Sequence, residues 1–189
     1  MQTYIYFYMT TKQRRWFSRL EISLWVLVAG ALLYHFTPAA PLKPVTEGEV
    51  APPFSVHAFS GQKVDLDDLR GKVVLVNFWA TWCPPCRLEM PGFESVFEDY
   101  RNRGFTVVGL SADLTGEAGV REFVRERGIT YPVAMASEEV RRRYGGVDML
   151  PQSFLLDRRG RVRKMVSGVF SESVLRRSVE ELLTEKEGT

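Results

Sequence analysis

One apolar run stands apart from the rest of the chain. Val73 to Trp79 (Val-Val-Leu-Val-Asn-Phe-Trp) is interrupted only by Asn77 and is rich in β-branched and aromatic residues. It is too short for a helix and follows Gly71-Lys72, so it predicts a central strand covered on both faces, as in a parallel-type sheet. Phe105 to Ser111 predicts a second buried strand, and Tyr131 to Ala136 a short extended piece. Ser153–Leu156 and Val162–Val166 predict an antiparallel hairpin across Asp157-Arg158-Arg159-Gly160. Upstream, Phe54–Phe59 and Lys63–Leu66 flank Ser60-Gly61 as another hairpin, followed by a turn of helix at Asp67–Leu69.

Between these strands the period lengthens. Phe93, Val96, Phe97 and Tyr100 fall at i, i+3, i+4 and i+7, one buried helix face. Pro91 should kink that helix and Gly104 end it. Val120, Phe123 and Val124 mark a second helix closed by Gly128, and Ser137–Tyr144 a short third. The last helix is expected to start at Ser171 as N-cap, with Phe170 and Leu175 in the staple positions. Val174, Leu175, Val179, Leu182 and Leu183 should line its buried side. Strands alternating with helices predict an α/β domain over residues 54–189.

Ile22 to Phe36 is apolar and uncharged. Fifteen helical residues span roughly 22 Å, short of a hydrocarbon core of about 30 Å. Trp16, Phe17 and Leu20 extend the run on one side, with Arg19 snorkelling, and Thr37 to Leu42 extends it weakly on the other. Lys12, Arg14, Arg15 and Arg19 precede it. The positive-inside rule then keeps residues 1–21 in the cytoplasm, makes residues 22–36 a single-pass anchor in the cytoplasmic membrane and places the rest on the extracytoplasmic, periplasmic side. A cleaved signal peptide stays open, since Thr37-Pro38-Ala39-Ala40 offers small residues and the run suits a signal's apolar region. Met9 is an alternative start. Residues 37–53 hold Pro38, Pro41, Pro44, Pro52 and Pro53, which predicts an extended tether.

The central strand runs into Cys83-Pro84-Pro85-Cys86 and then a helical pattern. A thiolate in the first turn of a helix is stabilised by unpaired N–H groups and a partial positive charge, and its pKa falls. Cys83, at the helix start, is the expected exposed, attacking sulfur, and Cys86, one turn in, the recessed, resolving one. Pro84 suits the first helical position. Two consecutive prolines also remove two possible N–H donors to sulfur. The alternatives are a static disulfide or half of a zinc site. Zinc needs four ligands, and this chain has two cysteines and only His35 and His57, in no paired motif. Redox chemistry at Cys83 and Cys86 is the expected reading in this context, with a static disulfide as its alternative, and no metal or cofactor is expected.

The segment Asn77-Phe-Trp-Ala-Thr-Trp-Cys-Pro-Pro-Cys-Arg-Leu-Glu-Met-Pro91, with Ala51-Pro-Pro-Phe54 and Leu66-Asp-Asp-Leu-Arg-Gly-Lys72 ahead of it, resembles the membrane-anchored TlpA/ResA-type thiol–disulfide oxidoreductases. The resemblance covers about the last three quarters of the chain. It implies a thioredoxin-like fold, a central mixed sheet flanked by helices, with an extra N-terminal hairpin and a strand-and-helix insertion between the Phe105 strand and the next. It implies a redox-active Cys83–Cys86 disulfide. It implies that Pro151 is a cis-proline facing that pair, although the local sequence alone reads as a trans turn, and that Leu150 pairs its backbone with a substrate chain. Trp82, Pro84 and Pro85 join the docking surface. Glu89, three residues beyond Cys86 on the same helical face, is implied as the proton acceptor for the recessed sulfur. Otherwise it is an ordinary acid in a helix's first turns. Asn77 stands where cytosolic thioredoxins keep a buried Asp.

The implied partners are a disulfide-bearing protein, such as apocytochrome c or a copper-site assembly protein, a membrane thiol-transfer protein as electron donor, and the lipid bilayer. The 189 residues are 45% hydrophobic and 25% charged with a net charge of +2, too mild a balance to argue for nucleic acid. Three rivals follow from the same motif. A disulfide-donating oxidase differs in reduction potential. A peroxidase of the related peroxiredoxin type has Thr three residues before its reactive Cys, where this chain has Ala80. A metal chaperone would need a histidine near Cys83 and Cys86, and neither histidine lies near them in sequence.

Overall fold

A computed structural model describes residues 22–31, 45–114, 116–147 and 149–185. Residues 22–31 form a helix, α1, with its apolar side chains exposed. Among the described residues no helix is long and apolar enough to cross a membrane. The expected cytoplasmic segment and residues 32–44, which include the end of the expected anchor and much of the tether, lie outside the described residues.

The folded domain is built on β3 (Val73–Trp79), every residue of which is buried. It pairs in parallel with β4 (Phe105–Ser111) and antiparallel with β6 (Gln152–Leu156). β5 (Val133–Met135) joins β4 in parallel, and β7 (Val162–Ser167) joins β6 antiparallel, giving the mixed order β5-β4-β3-β6-β7. The helices are α2 (Pro84–Tyr100), α3 (Glu117–Glu126), α4 (Glu138–Arg143) and α5 (Glu172–Thr184). The strand-and-helix material expected between β4 and β6 is present as β5 and α4. The expected N-terminal hairpin is a separate two-stranded sheet, β1 (Ser55–His57) with β2 (Lys63–Asp65).

Because β3 is buried on both faces, alternate side chains feed two cores. Val73, Leu75 and Trp79 pack with Met90, Phe93 and Val96 of α2, Val120 of α3 and Leu175 and Val179 of α5. Val74, Val76 and Phe78 pack with Val56 and Val64 of the hairpin, Val140 of α4 and Tyr144. The Tyr144 ring lies 5.2 Å from Phe78 and 5.0 Å from Phe154, and its hydroxyl donates to the Pro52 carbonyl at 3.0 Å.

The structure departs from the sequence reading in three places. Residues 45–53 are not free tether. Val45 and Ala51 are buried, Gly48 N–H donates to the Val162 carbonyl, Val162 N–H returns a bond to Glu49, and Ala51 N–H donates to Gly160. Those main-chain bonds make this stretch part of the folded unit. Val174 is exposed rather than lining the core, because Leu175, Val179 and Leu182 already fill the inward stripe of α5. Ser171 holds the N-cap position, but its hydroxyl makes no capping bond and faces Ser173 Oγ at 3.5 Å. α2 runs from Pro84 to Tyr100 with Pro91 inside it.

Candidate active site

The strand register decides what meets at one end of the sheet. Trp79 is level with Ser111, Phe78 with Gln152, and Gln152 with Ser167. The segments after β3, after β4, before β6 and after β7 therefore emerge together. They carry Thr81 to Cys83, Asp113 and Leu114, Met149 to Pro151, and Val169 and Phe170. The Leu150–Pro151 peptide is cis, with Pro151 buried and Leu150 half-buried.

Cys83 caps α2 in an extended conformation, and Pro84 and Pro85 fill the first two helical positions. With two prolines lacking N–H, the first helical N–H belongs to Cys86, and it donates to Cys83 Sγ at 3.3 Å. The two cysteines form a disulfide with a Cα–Cα distance of 5.3 Å. The sequence expects an exposed Cys83. In the disulfide it is 3% exposed and Cys86 is fully buried, both at the edge of the core beneath α2. Cys83 is covered because it caps α2 where the helix starts against the core. The surface beside it is given by Trp82, 65% exposed, and by exposed Pro84, with Pro85 half-buried.

Glu89 follows Cys86 by almost one turn and points into the protein, 4% exposed. Asn77 Nδ2 of β3 donates to its Oε1 at 2.9 Å, and the main-chain N–H of Phe170 donates to its Oε2 at 3.0 Å. The same Asn77 nitrogen donates to Ser153 Oγ of β6 at 3.0 Å. Burial pushes the Glu89 pKa up to about 7, and the bonds from Phe170 and Asn77 pull against that rise. A carboxyl with that pKa takes up or releases a proton near neutral pH, and it lies three residues past Cys86 on α2.

Three parts of this site were not read from the sequence. Asp113 is buried and holds the turn before the cysteines, accepting from Thr81 N–H at 2.8 Å, Thr81 O–H at 2.5 Å and Ser111 O–H at 2.8 Å. Ser153 and Phe170 reach the site from distant segments. Leu114, Met149 and Val169 are exposed, as is Trp82, in the segments that emerge at this end of the sheet. The available signal was exposed-type apolar residues inside polar loops, and an acid directly after a buried strand.

A model of the AhpC/TSA family matches residues 48–165. The thiol-disulfide oxidoreductase ResA of Bacillus thuringiensis (strain Al Hakam) is 40% identical over 121 residues, 64% of this chain and 69% of that protein. The ResA of Bacillus subtilis (strain 168) is 30% identical over 164 residues, 87% of this chain and 91% of that protein. The chain belongs to the AhpC/TSA family, as a TlpA/ResA-type thiol–disulfide oxidoreductase. The crystal structure of a thiol:disulfide interchange protein of the thioredoxin family from Chlorobium tepidum TLS matches with a TM-score of 0.66 at 35% identity, over 75% of this chain and 97% of that one. The TlpA/ResA-type resemblance and the thioredoxin-like fold expected from the sequence thus both hold. In this oxidoreductase the Cys83–Cys86 disulfide opens the helix whose next turn carries the buried Glu89 carboxyl.

Proposed function

We propose that this oxidoreductase works outside the cytoplasm and reduces disulfides in protein substrates. The Cys83 thiolate attacks one sulfur of the substrate disulfide. That S–S bond breaks, a Cys83–substrate bond forms, and the other substrate sulfur leaves as a thiolate that takes a proton. Cys86 then gives up its proton, attacks Cys83 and re-forms the intramolecular disulfide, and the substrate leaves with both sulfurs reduced. Two electrons pass from the dithiol to the substrate.

The observation that carries this reading is Glu89, buried one turn past Cys86 with its pKa near 7. It accepts the Cys86 proton in the resolving step, which otherwise requires ionising a buried thiol. Trp82, Pro84, Pro85, Leu150 and Pro151 receive the substrate chain, with Leu150 pairing its backbone to it. Leu114, Met149 and Val169 extend that surface and favour apolar residues beside the target cysteine.

The apolar run of residues 22–36 anchors the domain in the cytoplasmic membrane with the N-terminus inside. An extracytoplasmic compartment is oxidising, so the dithiol is regenerated by a membrane thiol-transfer protein. Apocytochrome c or a copper-site assembly protein is the substrate class that fits a reductase so placed. The test is the reduction potential of the Cys83–Cys86 pair in the full chain in detergent. A value near or below about −270 mV is expected of a reductase fed from the cytoplasm. A value near about −120 mV would make it a disulfide donor and reverse the direction of electron flow.

A further inference from the structure

Glu89 is surrounded for its ionised form. Both carboxylate oxygens face donors, Asn77 Nδ2 and the Phe170 N–H. A protonated carboxyl carries an O–H that needs an acceptor, and neither donor supplies one as placed. The main-chain N–H of Phe170 cannot turn round. The Asn77 amide can, because a half-turn about its Cβ–Cγ bond exchanges nitrogen and oxygen in the same outline.

Two idle groups mark where that second orientation leads. Asn77 Oδ1 is buried and has no hydrogen-bond partner among the described residues. Ser153 Oγ accepts from Asn77 and, among the described residues, donates to no other group. We infer that Asn77 is a positioning residue for Glu89, an amide that turns over when Glu89 takes up a proton. In one orientation its two N–H bonds serve the Glu89 carboxylate and Ser153 Oγ. In the other, Oδ1 accepts from the Glu89 O–H and from the Ser153 O–H. Each state keeps two hydrogen bonds, and the one unpartnered atom of the amide changes from oxygen to nitrogen. A buried polar group left unpaired in only one protonation state would bias the proton strongly. A reversible amide lessens that bias and lets the carboxyl cycle with the dithiol.

Other charged and titratable groups near this network are held elsewhere. Glu94, further along α2, accepts from Thr130. Tyr131, buried ahead of β5, has its hydroxyl pKa raised by burial, then by the charges of Glu94 and Glu89. Lys164 of β7 lies 6.0 Å from the Phe170 ring centroid and donates to Ser178. Glu172 of α5 is bound by Arg176, and Asp113 by Thr81 and Ser111. Cys83 and Cys86 are joined and carry no proton in this state.

The inference rests on Glu89 titrating as proposed above, and not on the direction of electron flow. The experiment follows the side-chain amide signals of asparagine in the oxidised full chain, ¹⁵N-labelled and in detergent micelles, from about pH 5 to 9. Both Asn77 amide protons should move along one curve whose midpoint equals that of the Glu89 carboxyl, and Glu89→Gln should freeze them. An Asn77 amide that stays still while Glu89 titrates overturns the inference and leaves the proton-carrier reading intact. Absence of any Glu89 titration in this range sinks both. Asn77→Leu, isosteric but unable to donate or accept, gives a second readout. A turning amide loses a bond in both states, so the Glu89 midpoint should shift by less than about half a pH unit, whereas a fixed donor loses one only in the ionised state and the midpoint should climb by about one unit or more.

Discussion

Two buried carboxylates flank the redox pair, and they are gripped differently. Asp113 receives three donors on its two oxygens, two of them from Thr81, and its own N–H bonds to Ser111 Oγ at 3.1 Å. It acts as a bracket that fixes the turn two residues before Cys83. Glu89 receives two donors, one of them a side-chain amide, and burial lifts its pKa to about 7. On the proposed function, the same functional group at similar depth serves as scaffold or as proton carrier according to how many donors meet it and whether they are fixed.

The largest expected effect removes the chemistry both carboxylates serve. Cys83→Ser should abolish exchange in an insulin-type disulfide reduction assay. Cys86→Ser should stop after the first attack and accumulate a mixed disulfide, visible on a non-reducing gel. Normal turnover by Cys86→Ser would leave Glu89 with no proton to accept and break the contrast with Asp113.

Glu89→Gln comes next. Loss of a general base costs about 10²-fold or more, and the variant's rate should lose the rise through pH 7 that the wild type shows as Glu89 ionises. Stability should move the opposite way. Between pH 4.5 and about 7 the unfolded chain ionises this group while the folded chain keeps it neutral, so the wild type loses stability as pH rises through that window. The 2.5-unit difference between those two values is worth about 3 kcal/mol. Relative to wild type, Glu89→Gln should therefore gain in thermal midpoint from pH 5 to pH 8. A parallel pair of melting curves would show that Glu89 is not held neutral.

Asp113→Asn tests the other half of the comparison. An amide turns one acceptor into a donor facing Thr81 or Ser111, which costs about 1–3 kcal/mol. The exchange rate should fall a few-fold because the turn loosens, while the pH midpoint of the rate stays in place. A displaced midpoint would make Asp113 part of the proton path and erase the distinction between the two carboxylates.

The contrast also marks what could be read from the sequence. The strands, their order along the chain, the two cores and the Cys83–Cys86 junction follow from apolar period and helix-start chemistry, which are local. Pro151 and Glu89 entered through resemblance, since nothing local distinguishes a cis-proline or a buried acid from ordinary ones. Asp113, Ser153 and the Phe170 N–H were not read as parts of the site. Each acts across more than thirty residues of chain, on Thr81, Asn77 and Glu89 respectively. Such pairings are set by sheet register, which period alone does not give. Residues 45–53 were misread for a similar reason. Proline-rich composition predicts extension, and extended backbone is also what bonds to an open strand edge.

The smallest effect on stability and the most specific effect on function are expected at Trp82. It lies between Thr81, which Asp113 holds, and Cys83, yet 65% of it is exposed and it belongs to neither core. Trp82→Ala should change stability by no more than about 0.5 kcal/mol, as at other exposed positions. Its indole is free to bury apolar area against a substrate, so the variant should raise KM for a protein disulfide while leaving the rate with a small disulfide such as oxidised glutathione unchanged. Equal losses with both substrates would mean that Trp82 shapes the Cys83 turn itself, and the bracket would then extend beyond Asp113 and Thr81 to the surface of the protein.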